Sequence, residues 1–570
     1  MNRSQSVDLR AARLPATTLI VAILIVAILI AVILIAVNAL FRLPLLFDGA
    51  GAVGRILTPS LDAAVLLLLV WVYAWSKLSG FAVFSGILAV AGVTILSFQS
   101  ADVLIPRFFN RPFELYTDIT YLPDLYALMR DTVPGGLFYP ALAASFIVAV
   151  ALAFALFAGF RFLGRGVRNA AIRYGFFAVL AVLLVLDLLG SLPFTENTAM
   201  PRMAEEAVKI AHKDRFIREQ QQAFQRQVQD AGQVRRPLER LEGEDVYLFI
   251  VESYGYTLYS ESRHFDPIQS ELQEFERRLD RAGFTVVSTF LDSPAFGGNS
   301  WLADSTLATG VRIDNEAAYE LLHQSDVKPI ARFFNEIGYR TVVAMPATTY
   351  EWPEGEFYGF LAKYYYKDLG YQGPNFKWAP MTDQYVIDYI HRNEVRNADV
   401  PLFIQYVMIS SHYPFNLIPR FFSDWSVIAD GGIYHRDDAV TVLPIKPGNQ
   451  TAGAEGYVAA MAYELELLRE YIAGFVEGDA LIIMIGDHQP YSGITGNNKS
   501  RSVPLHLISR RRDFLEPFLE HGYTRGLIPT QALPHAGLET FLPLFLESFS
   551  FEDTVVERRS SAVRGEGSAN

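Results

Sequence analysis

The apolar positions along the chain fall into two regimes. Residues 17–37 open with Thr17 and Thr18 and continue as an uninterrupted run of Leu, Ile, Val and Ala, about 20 residues and long enough to cross roughly 30 Å of hydrocarbon. The run is too long for a signal-peptide core and has no small-residue cleavage site after it. Further runs occupy 61–75, 81–96, 137–160 and 174–192. These five runs predict an α-helical polytopic membrane domain over residues 1–193, with the second and third spans the shortest.

Lys and Arg are biased toward cytoplasmic loops, which makes them a test of orientation. Arg3, Arg10 and Arg13 precede the first run, and Arg161, Arg165, Arg168 and Arg173 crowd the junction of the fourth and fifth. Five spans put both clusters on the cytoplasmic side. The N-terminus is then inside, the mixed segment 102–131 outside, and everything after 192 periplasmic or extracellular. Asp187, inside the fifth run, is expected to face the bundle because a lipid-facing carboxylate is costly.

Residues 194–243 are rich in Gln, Arg and Glu, with Phe216, Ile217, Phe224 and Val228 at roughly helical spacing. They predict an amphipathic helical connector, either an ordinary linker or a tether close to the head groups.

From residue 244 the pattern becomes short apolar runs alternating with amphipathic segments, the mark of a mostly parallel sheet covered on both faces. Strands are expected at 246–251, 285–290, 339–344, 402–409, 480–485 and 503–508, and helices at 268–282, from Ser300, at 330–337 and at 457–475. This gives a C-terminal α/β domain over 244–550, followed by a polar tail over 551–570. In such sheets ligands bind beyond the carboxyl ends of the strands. Four strands run into conspicuous groups there: Glu252 in IVESYG, Ser300 after the Gly297-Gly298 turn in SPAFGGNSW, His412 in ISSHYPF, and Asp487 with His488 in MIGDHQP.

Composition narrows the chemistry. The chain has 570 residues, no cysteine and a formal charge of -13. Thiolate metal sites, disulfides and cysteine nucleophiles are excluded, and nucleic acid is a poor partner for a chain without a basic face. Any metal must sit on carboxylate, imidazole or hydroxyl groups. Glu252, Asp487 and His488, completed by the Ser300 hydroxyl, form a set that suits one divalent ion, manganese first and zinc or magnesium as alternatives. An ion on the hydroxyl would lower its pKa and make Ser300 a nucleophile toward phosphorus or sulfur.

The bland readings differ from residue to residue. Gly297-Gly298 by itself is a plain tight turn. His506, inside an apolar strand, reads as a packed histidine, Asp383 as a helix cap, and Tyr364 to Tyr366 as an aromatic run of core type.

The motif Ser300-Trp301-Leu302-Ala303-Asp304-Ser305-Thr306-Leu307-Ala308-Thr309-Gly310 resembles the sulfatases. They carry Cys or Ser, any residue, Pro, any residue, Arg, and then a Leu-x-Thr-Gly segment starting seven positions after the nucleophile. Leu307, Thr309 and Gly310 keep that frame, whereas Leu302 and Asp304 replace the Pro and Arg, so sulfate-ester chemistry through formylglycine is not expected. The closer resemblance is to lipoteichoic acid synthase and the membrane phosphoglycerol transferases. It rests on Glu252-Ser253, Ser300, Ser411-His412-Tyr413-Pro414-Phe415 and Gly486-Asp487-His488, which match in order and strand context. Lipoteichoic acid synthase has Thr where this chain has Ser300, and the segment around Trp352 does not align clearly with the head-group-binding region.

That resemblance implies five spans, a helical connector and an outward catalytic domain of the alkaline phosphatase and sulfatase type. It also implies a metal-dependent transferase that moves a phosphoglycerol-type head group from a membrane phospholipid through a covalent Ser300 intermediate to a glycan or lipid-linked envelope acceptor. His412 then binds substrate. Phosphoethanolamine transfer, phosphodiester or sulfate-ester hydrolysis on the same fold, and a catalytically idle membrane scaffold are the alternatives.

Overall fold

The computed structural model describes residues 36–42, 60–76, 78–109, 111–120, 122, 126, 135–167, 174, 198–211, 221–222, 224–226, 238–349, 352–376, 379–444, 450–496 and 498–550. The chain divides into two compact units, Met1–Arg107 with Arg111–Ala211, and Phe108–Asn110 with His212–Asn570.

In the first unit, helices Leu61–Ser76, Phe81–Phe109 and Gly135–Gly166 stand where three of the apolar runs predict them. Among the described residues two stretches, Phe81–Pro106 and Gly136–Gly166, are long and apolar enough to cross a membrane, while Leu61–Ser76 is apolar but shorter. The predicted short span at 81–96 thus extends by ten further residues. Phe146, Ile147, Val148 and Phe154 stand exposed along Gly135–Gly166, the wrong disposition for a helix solvated by water and the expected one for a helix solvated by lipid. Nearly all of runs 17–37 and 174–192, and Asp187, lie outside the described residues. Buried Asp62 accepts the N–H groups of Ala199 and Met200 at 2.8 and 2.9 Å. It thereby satisfies two of the donors that open helix Ala199–Ala211, the described start of the expected connector. Phe216, Ile217 and Val228 lie outside the described residues.

The second unit is built on a nine-stranded sheet. Its strands are β1 Val246–Val251, β2 Thr285–Asp292, β3 Arg340–Met345, β4 Ala362–Tyr365, β5 Leu402–Val407, β8 Leu481–Gly486, β9 Ser502–Ser509, β10 Thr524–Arg525 and β11 Ala536–Gly537, while β6 Leu417–Pro419 and β7 Val440–Val442 form a separate two-stranded sheet. The order is β10-β2-β9-β8-β1-β5-β3-β4, with β11 beside β2. From β8 through β1, β5 and β3 to β4 all pairings are parallel. Strand β9 runs antiparallel to both β8 and β2. Among the described residues the β8 to β9 connection holds the short helix Ser492–Thr495 and not the covering helix a parallel crossover uses. An apolar run carries no sign of its direction, so the reversal of β9 escapes the sequence pattern.

Strand β1 is buried at all six positions, which explains its unbroken VYLFIV run: a central parallel strand has helices on both faces. Tyr247, Phe249 and Val251 join one core, with Leu272 and Phe275 of helix Ser262–Arg281 and Leu468 and Tyr471 of helix Gln450–Phe475. Val246, Leu248 and Ile250 join the other. There they meet Ala303 and Leu307 of helix Ser300–Thr309, Phe334 of helix Ile330–Glu336, Phe518 of helix Arg512–Glu520 and Phe545 of helix Phe541–Ser548. Phe224 is buried in this unit against a small cluster that includes Leu302, Val311 and Ile313.

Candidate functional site

Because β1, β5 and β8 are parallel neighbours, the residues that follow them emerge at one edge. The turns after β1 and β8 approach each other through a glycine on each side. A Cβ on Gly486 would overlap the Tyr254 carbonyl oxygen, and one on Gly255 would overlap the Gln489 side chain. This close approach lets Asp487 Oδ1 accept the N–H of Ser253 at 2.8 Å and that of His488 at 2.6 Å. Ser253 sits at φ 59, a conformation a non-glycine residue holds only when its surroundings fix it.

The loop after β2 is stitched to the same turn. Ser293 Oγ donates to the Asp487 carbonyl at 2.6 Å, and Gly297 N donates to the Gln489 carbonyl at 2.9 Å. Gly297, Gly298 and Asn299 follow at φ 68, 142 and 64, three successive positive values that two glycines make accessible. Ser300 emerges from this bend as the first residue of helix Ser300–Thr309, where unpaired N–H groups and the helix dipole favour negative charge. The Leu307, Thr309, Gly310 frame acquires a structural reason here. Leu307 packs in the core, Thr309 Oγ1 donates back to the Ser305 carbonyl at 2.6 Å, and Gly310 closes the helix at φ 67.

The structure brings Glu252, Ser300, Asp487 and His488 together. Ser300 Oγ lies 3.4 Å from Glu252 Oε2 and 3.2 Å from His488 Nε2. His488 Nε2 is 3.5 Å from Glu252 Oε1 and 3.4 Å from Asp487 Oδ2. One ligand atom from each of Glu252, Asp487 and His488 falls within 4.8 Å of the others, and all three residues are buried. His488 Nδ1 contacts the Gln489 carbonyl at 2.8 Å, which suits a proton on that nitrogen and turns the Nε2 lone pair of the neutral ring toward the Ser300 hydroxyl.

The electrostatics are those of crowded anions. Burial pushes Glu252 up, but His412 and His488, with bonds from Ser253 and Asp487, outweigh it and hold the carboxyl below its usual range. Burial and then the Glu252 charge push Asp487 up. For His488, burial works against the proton, yet the Asp487 and Glu252 carboxylates dominate and raise its pKa. His412 is thus tied to this cluster electrostatically, and its Nδ1 contacts the Tyr413 carbonyl at 2.7 Å. The turn that carries it is fixed by Ser411 Oγ, which donates to the Glu252 carbonyl at 2.7 Å.

One member was missed. Asp304, read in the sequence only as a departure from a motif, has a buried Oδ1 without a hydrogen-bond partner. Burial, then Asp487 and Glu252, push its carboxyl well above the usual range. It stands one helical turn after Ser300, and that i, i+4 spacing is the signal that could have found it. An orphaned carboxyl oxygen beside two further buried carboxylates is an environment a cation would neutralise. The donors therefore fit a hard divalent ion, with no feature that selects its identity.

Other expectations separate here. His506 is fully buried, bonded to Ser288 Oγ at 2.6 Å and Tyr254 OH at 3.0 Å, and burial pushes it down to about 3, so it is the packed histidine that was expected. Asp383 is not the helix cap: Thr382 caps helix Asp383–Ile390 by accepting from Tyr385 N, which leaves the Asp383 carboxylate to bond elsewhere. Tyr364 and Tyr365 belong to the half-buried strand β4. Trp352 packs against Tyr358 and Tyr365.

The Sulfatase family model matches residues 311–519, a segment that holds His412, Asp487 and His488. No curated protein matches the chain. Among solved structures, the lipoteichoic acid synthase LtaP of Listeria monocytogenes is 16% identical over 50% of this chain and 70% of its own, with a TM-score of 0.35. The phosphoglycerol transferase GacH of Streptococcus pyogenes is 12% identical over 58% and 91%, at 0.36. The lipooligosaccharide phosphoethanolamine transferase EptA of Neisseria meningitidis is 14% identical over 90% and 95%, at 0.44. Three strand ends, those of β1, β2 and β8, thus converge on Glu252, Ser300, Asp487 and His488, and the segment 311–519, which holds the last two, is similar to the Sulfatase family.

Proposed function

We propose that this chain is a membrane-anchored, metal-dependent transferase that moves a phosphoglycerol-type head group from a phospholipid to an envelope acceptor, with Ser300 as nucleophile. The observation that carries this reading is the Ser300 hydroxyl, held between Glu252 and His488 at a helix N-terminus beside a buried carboxylate and imidazole set. Glu252, Asp487 and His488, with Ser300 Oγ, would hold one divalent ion, which when bound supplies a lowered serine pKa and neutralisation of phosphoryl charge. We place the N-terminus in the cytoplasm and the catalytic domain outside a cell membrane, where phospholipid donor and glycan or lipid-linked acceptor meet.

In the first half-reaction Ser300 Oγ gives up its proton and forms a bond to phosphorus, the bond from phosphorus to the diacylglycerol oxygen breaks, and that oxygen takes up a proton as diacylglycerol leaves. In the second, an acceptor hydroxyl gives up its proton and bonds to the same phosphorus, the bond from phosphorus to Ser300 Oγ breaks, and Oγ takes a proton back. The helix N-terminus steadies charge on the non-bridging oxygens. His412 orients the head group and moves a proton.

Incubation with separately labelled phosphatidylglycerol and phosphatidylethanolamine, with and without manganese, followed by mass analysis of the Ser300 peptide, tests the reading. A phosphoglycerol adduct is expected. A phosphoethanolamine adduct would reassign the head group, and release of phosphate ester into water without transfer would make the enzyme a hydrolase. His412→Ala is expected to raise KM for the phospholipid about tenfold or more, with a smaller change in kcat. An unchanged KM removes His412 from the substrate site.

Metal affinity carries a pH sign. Asp487 and His488 both hold raised pKa values, and a ligand must shed its proton to bind a cation. Affinity for manganese is therefore expected to fall as pH drops, roughly tenfold per unit for each proton displaced. Calorimetric titration at several pH values checks this, and a flat profile would disprove ligation by these groups.

A further inference from the structure

Beneath the His412 turn lies a second acidic cluster outside the set just described. Asp383 and Glu464 are each 1% exposed. Asp383 Oδ2 accepts the backbone N–H groups of Ile409 at 2.9 Å and Ser410 at 2.6 Å, and Ser410 Oγ accepts the Asp383 N–H at 3.0 Å. These bonds clamp the chain where it leaves β5, two residues before His412. Glu464, on helix Gln450–Phe475, lies against Asp383 with the Ser411 N–H and hydroxyl near it, yet neither of its oxygens holds a well-formed hydrogen bond. Ser411, the nearby hydroxyl, directs its proton to the Glu252 carbonyl instead.

Two adjacent carboxylates in a buried site cannot both ionise, and a buried carboxylate whose donors are poorly aligned is costly to keep charged. The groups facing the pair are Tyr434, Tyr463, Ser410 and Ser411, none of them cationic. A single proton resolves the conflict, because a carboxylic acid is a donor and its partner an acceptor. Asp383, with two backbone N–H groups already aimed at it, is the better anion. Glu464 is therefore the acid.

We propose that Glu464 and Asp383 share one proton, and that this carboxyl–carboxylate pair is the positioning device for the 409–412 turn and, through it, for His412. Burial and then the Asp383 charge push Glu464 well above the usual carboxylate range, in line with that geometry. The inference rests on the proposed function only in taking His412 as the group that meets substrate.

The test uses the full chain in detergent with manganese and three variants. The wild type minus E464Q infrared difference spectrum is expected to contain the C=O band of a protonated carboxyl that shifts in D2O. E464Q, whose amide can donate to Asp383, keeps KM for the labelled phospholipid within about threefold, whereas E464L and D383N raise it about tenfold or more with a smaller change in kcat.

Thermal stability adds a sign. An acid raised on folding takes up a proton above the ordinary glutamate value of 4.5. Wild-type stability from this group is full below that value and is lost as pH rises toward the raised folded value. E464Q lacks that loss and should melt above the wild type at alkaline pH. A difference spectrum without a carboxyl band, or an E464Q protein as impaired as E464L, overturns the proposal. The infrared and melting arms decide it even if no phospholipid is turned over, a result that would count against the proposed function alone.

Discussion

Ser300→Ala is expected to lower turnover by at least ~10,000-fold while leaving the fold and manganese binding by the remaining ligands in place. The expectation follows from geometry. Ser300 Oγ lies within hydrogen-bonding reach of both Glu252 and His488, and removing a covalent nucleophile removes both half-reactions at once. Alanine is a good residue for the first turn of a helix, and Ser300 is only partly buried, so the Ser300–Thr309 helix has no reason to unravel. Ser300→Thr keeps the hydroxyl and is expected to retain measurable activity. Single-turnover release of labelled diacylglycerol reads the effect directly, and release by Ser300→Ala at a rate near that of wild type would remove the covalent mechanism.

The second large effect concerns the backbone beneath the ligands. Gly486→Ala is expected to destabilise the catalytic unit by ~3 kcal/mol, the upper end of the usual cost of overpacking, or to prevent its folding. The added Cβ would overlap the Tyr254 carbonyl oxygen, a backbone atom that cannot swing aside as a side chain can. The β8 end would have to move away from the 252–254 turn. Asp487 would then lose its bond to the Ser253 N–H, and the ligand set would open. Gly474→Ala provides the control, because a Cβ there meets nothing within 4 Å and alanine is favoured over glycine inside a helix. Thermal melting followed by circular dichroism separates the two. If Gly486→Ala melts with wild type, the two turns are less tightly matched than their contact implies.

The sites where sequence reasoning succeeded share a physical cause. Strand β1 is legible because a central parallel strand is apolar at every position, and Glu252 is legible because it is the first charge after that run. The same logic exposes Asp487 and His488 after β8. Ser300 follows two glycines whose positive φ values the loop requires. The direction of β9 and the existence of β4, a short edge strand, leave no such mark, since neither burial on both faces nor period-two alternation distinguishes them.

Asp383, Glu464 and Asp304 escaped for a different reason. Each is an acid whose meaning depends on which distant group it touches. Asp383 sits where a cap is expected, and only the fold shows that Thr382 caps the helix while Asp383 holds the backbone after β5. Glu464 lies 81 positions away in an apolar helix, and Asp304 gains its character from Asp487 and Glu252.

By itself the sequence determined the apolar N-terminal region, the α/β character of the rest, and four of the groups at the strand ends, because burial and periodicity are written locally into the order of residues. Only the tertiary structure decided that these four meet, that His412 acts on Glu252 electrostatically, and that a second acidic pair lies beneath its turn. Distances between residues far apart in the chain are fixed by packing, and packing is a property of the whole fold.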